Sequence, residues 1–259
     1  MYALRLIHGY EQHFQLGNKY VMAIEYNNAK IVTDGIVLAL DAANPKSYPG
    51  TGTTWYDLSS NSIDASLINT VTYETNYQGE MSFDGTDDYA VATYNSTNFA
   101  NTDYTWFCYA RGEQISTSSH NMPDIGYGSG WWPRMGFKEL QGNGWEWRSY
   151  SSGGATSVHN MTIVPSPTPS DWVCLAFTAD YNNTETKGYY NGNLANTNNS
   201  FPDIGGNNSN FGIGRSGSTA GVWNEAFIGS FSIVLIYNRV LTAQEIQQNF
   251  NATRGRYGI

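Results

Sequence analysis

The chain has 259 residues and a formal charge of −9, with 13 Lys+Arg against 22 Asp+Glu, and that sign repels phosphate backbones, so nucleic acid is not an expected partner. Only 14% of residues are charged while 15% are aromatic and 27 are glycine, a balance that excludes a helical bundle and suits strands joined by tight turns. No run is as long as a membrane-spanning helix, and MYALRLIHGYEQHF lacks the apolar stretch of an export signal, so neither membrane insertion nor signal-directed export is expected.

Residues 1–30 hold His8 and His13, mixed polarity and no clean period, and are expected to form an N-terminal arm outside the core. Met22 opens MAIEYNNAKIVTDG, which could itself begin a protein, so an upstream extension is an open alternative for that segment. Residues 31–259 read as one domain. Short runs of period two or continuous apolar character recur there between Gly, Asn, Asp, Pro and Ser clusters. They begin with GIVLALD (35–41), GEMSFDG (79–85), DYAVATY (88–94) and DYTWFCYARG (103–112). Beyond VPSPTPSD (164–171), which marks a surface connection, they resume as WVCLAFTAD (172–180), TKGYYNG (186–192), NFGIGR (210–215) and AFIGSFSIVLIYNR (226–239). The pattern predicts an all-β, antiparallel β-sandwich.

Asn191-Gly192 between apolar flanks predicts a hairpin turn, because both residues tolerate the positive φ angles of a type I′ turn. One short C-terminal helix is predicted in LTAQEIQQNFN: Thr242 caps Glu245, the Glu245 carboxylate reaches back, and Leu241 staples onto Ile246. Ile246 and Phe250 then share a face that is expected to pack on the sandwich edge. Cys108 and Cys174 sit in apolar runs and are expected to be free core thiols, with a single bridge as the alternative.

Several features recur in a fixed order: Leu40-Asp41 with Asn44-Pro45, Trp55 before Asp57-Leu58, Phe83-Asp84-Gly85 before Asp88-Tyr89, Tyr190-x-Gly192, and Ile236-Tyr237-Asn238-Arg239 before the capped helix. On these the chain resembles the laminin-G-like (concanavalin A-like) jelly-roll family over roughly residues 31–259. Within it, the chain is similar to versions carried by tailed bacteriophages as virion proteins. The resemblance implies a non-catalytic structural or adhesion role, as a capsid decoration or tail-fibre component assembled in the host cytoplasm. Its implied partners are other virion proteins, further copies of the chain and environmental or host glycans. The family also holds secreted carbohydrate-binding modules and glycoside hydrolases, so that role is the alternative.

Glycosidases of this architecture carry closely spaced carboxylates on one strand, and this chain has no such run. Glu139 and Glu146 flank a QGNG turn that leaves their spacing open, and no catalytic residue is assigned. Gly212-x-Gly214-x-x-Gly217 matches a dinucleotide fingerprint, but strand patterns surround it and no helix follows. No cofactor is required. Calcium is the one metal weighed: Asp84, Asp87 and Asp88 crowd a glycine-containing turn, against the plainer reading that Asp84 and Asp87 cap turn N–H groups while Asp88 starts a strand.

Aromatic residues offer the candidate ligand site. Trp131, Trp132, Arg134, Trp145, Trp147 and Arg148 lie near glycine-rich turns, where flat indoles could stack on sugar rings and arginines could supply polar contacts. On a strand, Trp145 and Trp147 face one side and Glu146 and Arg148 the other. Burial of Trp145 and Trp147 in the sandwich core is the competing reading, and Pro133 favours exposure of Trp131 and Trp132.

Overall fold

The computed structural model describes residues 11–16, 19–24, 30–112, 125–128, 134–139, 144–150, 157–164, 171–200, 210–215 and 227–259. Its strands in chain order begin with β1 (Glu11–Leu16), β2 (Lys19–Ile24), β3 (Ile36–Asp41), β4 (Thr54–Trp55), β5 (Ala65–Ile68), β6 (Thr72–Glu74), β7 (Glu80–Asp84), β8 (Tyr89–Ala92) and β9 (Tyr104–Gly112). They continue with β10 (Ile125–Gly128), β11 (Arg134–Glu139), β12 (Trp145–Tyr150), β13 (Ser157–Val164), β14 (Val173–Asp180), β15 (Glu185–Tyr190), β16 (Asn193–Asn198), β17 (Phe211–Ile213) and β18 (Ile228–Tyr237), before the helix α1 (Ala243–Thr253). Within the expected arm, where the sequence showed no clean period, β1 and β2 pair as an antiparallel hairpin.

The strands beyond the hairpin form two antiparallel sheets. The first runs β13-β12-β11-β10-β17-β8-β5-β4, and the second runs β16-β15-β14-β9-β18-β7-β6. One edge of β18 is shared end to end, with β7 beside Ile228–Phe231 and β3 beside Ile233–Tyr237. The predicted all-β sandwich with one short C-terminal helix is therefore the observed architecture.

Strand alternation divides the core in two. Trp106, Cys108, Phe177, Phe231 and Ile236 of the second sheet meet Trp55, Phe137, Trp147 and Phe211 of the first between the layers. Their neighbours Phe107, Tyr109, Cys174, Leu235 and Tyr237 point the other way and are buried under α1 by Leu241, Ile246 and Phe250. A sheet covered on both faces needs apolar residues at every position, which is why β9 and β14 read as continuous apolar runs. The helix accordingly packs on the outer face of the second sheet rather than on the sandwich edge.

That geometry also separates the cysteines. Cys174 lies opposite Tyr109 and Leu175 opposite Cys108, so the thiols occupy opposite faces of adjacent strands. Both are free and buried, and burial pushes both thiols up in pKa, keeping them protonated.

Local chemistry behaves as the sequence predicts at two places. Asn191 and Gly192 adopt φ of 46° and 76° in the β15–β16 turn, and the Asn191 carboxamide oxygen accepts from Cys174 N at 2.9 Å. At the helix start, Glu245 N donates to Thr242 Oγ1 at 3.2 Å while Thr242 N donates to Glu245 Oε2 at 2.8 Å, the reciprocal capping box. Arg239 adds an ion pair to Glu245 at 2.6 Å, and this guanidinium, with the Thr242 donors, holds the carboxyl at about 2.

Because that value lies below the ordinary 4.5, the Glu245 contribution is present in full above about pH 4.5 and is lost as pH falls towards 2. Solvent screening at a side chain about one-quarter exposed holds it to about 1–2 kcal/mol. Urea unfolding of Glu245→Gln is expected to show that loss at neutral pH and a smaller difference from wild type at about pH 3.

Candidate functional site

A groove of about 320 Å³ opens on the outer face of the second sheet. Ala39, Ile233 and Leu235 form its floor, the segment around Ile31 and Thr33 and the end of α1 form its sides, and Leu58 and Ser59 form part of its rim. Its position follows from β3: Asp57 Oδ1 accepts from Ala39 N at 2.8 Å and Leu58 N donates to Ala39 O at 2.8 Å. A loop thus completes the strand edge where a neighbouring strand would lie. The Asp57 carboxylate also accepts from Ser59 N and Ile63 N, at 2.8 and 3.0 Å, fixing the loop that carries Leu58. Buried Asn249 ties the other side, donating to Tyr237 OH and accepting from Val32 N.

Polar groups gather at one end of the groove. Asp41 Oδ1 accepts from Arg256 Nη1 at 2.7 Å and from Ala43 N at 3.0 Å. Asn44 and Thr253 line the same groove. An apolar floor with a few convergent polar groups is the usual character of a small-ligand site.

The residues following that ion pair lead to a second surface. Tyr257 stacks on Tyr109, with centroids 4.0 Å apart and planes at 18°, and lies 6.4 Å and 23° from Tyr77. Tyr77 meets Trp172 edge-on at 5.5 Å, and the Arg111 guanidinium lies 5.8 Å from the Tyr77 ring and 5.7 Å from that of Trp172. Arg111 Nη2 donates to both oxygens of Glu80, at 3.1 and 3.2 Å. Burial raises the Glu80 pKa and the facing guanidinium works against that rise.

The sequence-based candidates fall elsewhere. Trp145 and Trp147 are 1% and 0% exposed. Trp147 stacks face to face on Phe177 at 3.7 Å, and Trp145 packs on Phe227 at 5.9 Å. Of the two readings weighed for them, core burial is observed and the ligand-facing one is corrected: period two puts both on one side of β12, and that side is the inter-sheet core. Arg148 lies on the opposite side, partly exposed and ion-paired with Glu146. Arg134 begins β11, while its side chain, like Trp131 and Trp132, lies outside the described residues. The register pairs Lys138 with Glu146 and Glu139 with Trp145, so Glu139 and Glu146 are not cross-strand partners. Gly212 lies within β17 of the first sheet, as the strand pattern around it implied.

Asp84, Asp87 and Asp88 do come together, with carboxylate oxygens within 4.8 Å of one another. Each also meets the turn in a structural way: Asp84 Oδ1 accepts from Thr86 N, the Asp87 carbonyl accepts from Asn69 Nδ2, and buried Asp88 accepts from both Thr70 N and Thr70 Oγ1. Thermal midpoints measured in EDTA and in excess calcium are expected to coincide, because these bonds hold the turn without a cation. A higher midpoint in calcium would establish a site there.

Tyr77, Arg111 and the Asp41–Arg256 pair were not singled out from the sequence. Asp41 stood in a recurring motif, but nothing local marks Tyr77 or joins residue 41 to residue 256. Among the described residues no helix is long and apolar enough to cross a membrane.

A family model described as the concanavalin A-like lectin/glucanases superfamily matches residues 84–247. No curated protein matches the chain. Among solved structures, domain 4 of AbnA, a GH43 extracellular arabinanase from Geobacillus stearothermophilus in complex with arabinotriose, superimposes with a TM-score of 0.62 at 18% identity, covering 83% of this chain and 97% of that one. The binding domain of Paraclostridial mosquitocidal protein 1 gives 0.60 at 17% identity, covering 85% and 52%. A Trypanosoma rangeli sialidase in complex with 2,3-difluoro-KDN gives 0.62 at 19%, covering 87% and 34%, so the chain spans about a third of that enzyme. At these identities the likeness is one of fold.

Proposed function

The chain belongs to the concanavalin A-like lectin/glucanases superfamily, and we propose that it is a non-catalytic glycan-binding module which, on the resemblance of its motifs to phage virion proteins, is carried on a virion as a capsid decoration or tail-fibre component. The observation that carries the non-catalytic reading is Asp41. It is the one carboxylate among the residues described as lining the groove, and it is engaged by Arg256 and Ala43 N. Glycoside hydrolysis by the common mechanisms divides its work between two carboxylates about 5–10 Å apart. A groove with one carboxylate, already neutralised, favours holding a sugar over cleaving it.

Homogeneous protein is expected to be retarded in gels containing a neutral polysaccharide while releasing no reducing ends from it. Mass spectrometry of purified particles tests the virion placement, and abundant copies of the protein are expected there. Virion proteins commonly repeat symmetrically, so the reading includes contacts between copies. A secreted carbohydrate-binding module or glycoside hydrolase is the second reading, favoured by the overlay on a domain of an extracellular arabinanase. Absence from particles together with sugar binding would select it, and release of reducing ends would select the hydrolase.

A further inference from the structure

We propose that the Tyr77 ring is the stacking platform for one unit of a neutral glycan, positioned by Arg111, Trp172 and Tyr257 on the surface next to the groove; this rests on the glycan-binding reading above. The turn Asn76–Gln78 is exposed throughout, and Tyr77 and Gln78 both hold positive φ, at 51° and 69°. For non-glycine residues that conformation costs about 1–2 kcal/mol each, and glycine would avoid it. Tyr77 nevertheless remains 40% exposed.

What the conformation achieves is orientation. Tyr257, Trp172 and the Arg111 guanidinium hold the Tyr77 ring in place, and the residue remains exposed. An exposed aromatic ring braced by three neighbours suits a sugar ring, whose axial C–H groups form an apolar patch. The exposed Gln78 amide beside it can bond its hydroxyls.

Charge chooses among sugars. Both Glu80 oxygens engage the Arg111 guanidinium, and Asp41 engages Arg256 beside the groove, so the two guanidiniums nearest this surface are already paired and have little left to offer an acidic sugar. The geometry also distinguishes a sugar from a protein partner. The exposed large apolar side chains among the described residues, Tyr56, Leu58, Tyr77, Tyr181 and Leu194, come from four separate stretches of the chain, whereas a protein interface centres on a contiguous apolar patch. Continuity with the groove is short in sequence at both ends: Tyr257 follows Arg256, and Ala42, against whose carbonyl the Gly79 backbone packs, follows Asp41.

The test is affinity electrophoresis of the full chain in gels containing arabinan, xylan, mixed-linkage glucan or galactomannan, with acidic pectin as the charged control. Wild type should be retarded in at least one neutral gel. Tyr77→Ala should weaken that retardation about three- to tenfold, the scale of one lost aromatic contact, while Tyr77→Trp keeps it. Nitration of wild type with tetranitromethane, mapped by peptide mass, supplies a readout that needs no variant. The polysaccharide that retards the protein should protect Tyr77 and leave Tyr181 reactive. Equal retardation of Tyr77→Ala, or nitration of Tyr77 at the same rate with and without that polysaccharide, would overturn the platform and leave the glycan reading standing. Retardation by pectin alone would overturn the neutral assignment, and retardation in no gel would overturn both this inference and the function it rests on.

Discussion

Trp147→Ala is expected to remove about 3–5 kcal/mol, a large fraction of the roughly 5–15 kcal/mol that holds an ordinary domain together. Trp147 is fully buried and lies parallel to Phe177, with centroids 3.7 Å apart and planes at 4°. Trp106 and Phe137 meet it edge-on at 4.7 and 5.2 Å. Because β12 and β14 belong to different sheets, the Trp147–Phe177 stack joins the two layers, and its loss leaves a cavity where they meet. Urea unfolding should show a lower midpoint, with Trp147→Phe falling between the variant and wild type. Cys108 lies in the same core, so its reaction with a thiol reagent should quicken in Trp147→Ala. An unchanged midpoint would contradict the placement of β12 in the sandwich.

Gly79→Ala is expected to cost a comparable amount through backbone geometry alone. At φ 148°, a Cβ on residue 79 would sit 2.5 Å from the Ala42 carbonyl oxygen, 2.7 Å from its carbon and 2.8 Å from Ala43 Cα. Backbone cannot rotate away as a side-chain tip can. Relief would therefore displace the Ala42–Ala43 segment, stretching the 2.6 Å bond from Ser232 Oγ to Gly79 O and the 2.8 Å bond from Ala42 N to Ser232 O. Strain of this kind with two loosened buried hydrogen bonds amounts to about 3–4 kcal/mol. Gly52→Ala is the matched control: its φ is also positive, at 103°, but nothing lies within 4 Å of the added carbon. Its expected cost is about 1–2 kcal/mol, the conformational penalty alone. Thermal unfolding of the two variants side by side separates the steric contribution from the conformational one. Gly79→Ala should also weaken glycan retention, because the same turn aims Tyr77.

The motifs that recur along the chain are mostly devices for assembling the scaffold. Trp55 is buried between the sheets, Asp57 completes the edge of β3, and Tyr237 donates to Val32 O across 205 positions. Arg239 joins the capping box to Asp34 through a 3.0 Å ion pair. These groups mark the fold, and they explain why a resemblance built on them says more about architecture than about a ligand.

Local chemistry was legible from sequence wherever its partners are close along the chain. The Asn191-Gly192 turn needs only two residues that tolerate positive φ, and the Thr242–Glu245 box closes within one helical turn. Alternation likewise separated Trp145 and Trp147 from Glu146 and Arg148. It could not say which side meets solvent, because a period of two defines two faces and leaves the choice to whatever packs against them. The second sheet hid its arrangement more thoroughly: with both faces covered, β9 and β14 carry no alternation, and the seat of α1 on a sheet face had no local signal. The groove and the Tyr77 surface lay furthest from view. They join residues near 41, 77, 111, 172 and 256, and only the crossing of strands brings those positions together. Sequence by itself thus determined the strands, turns and cap, whose energies are local, while tertiary structure alone decided which faces are covered and where a ligand could be held.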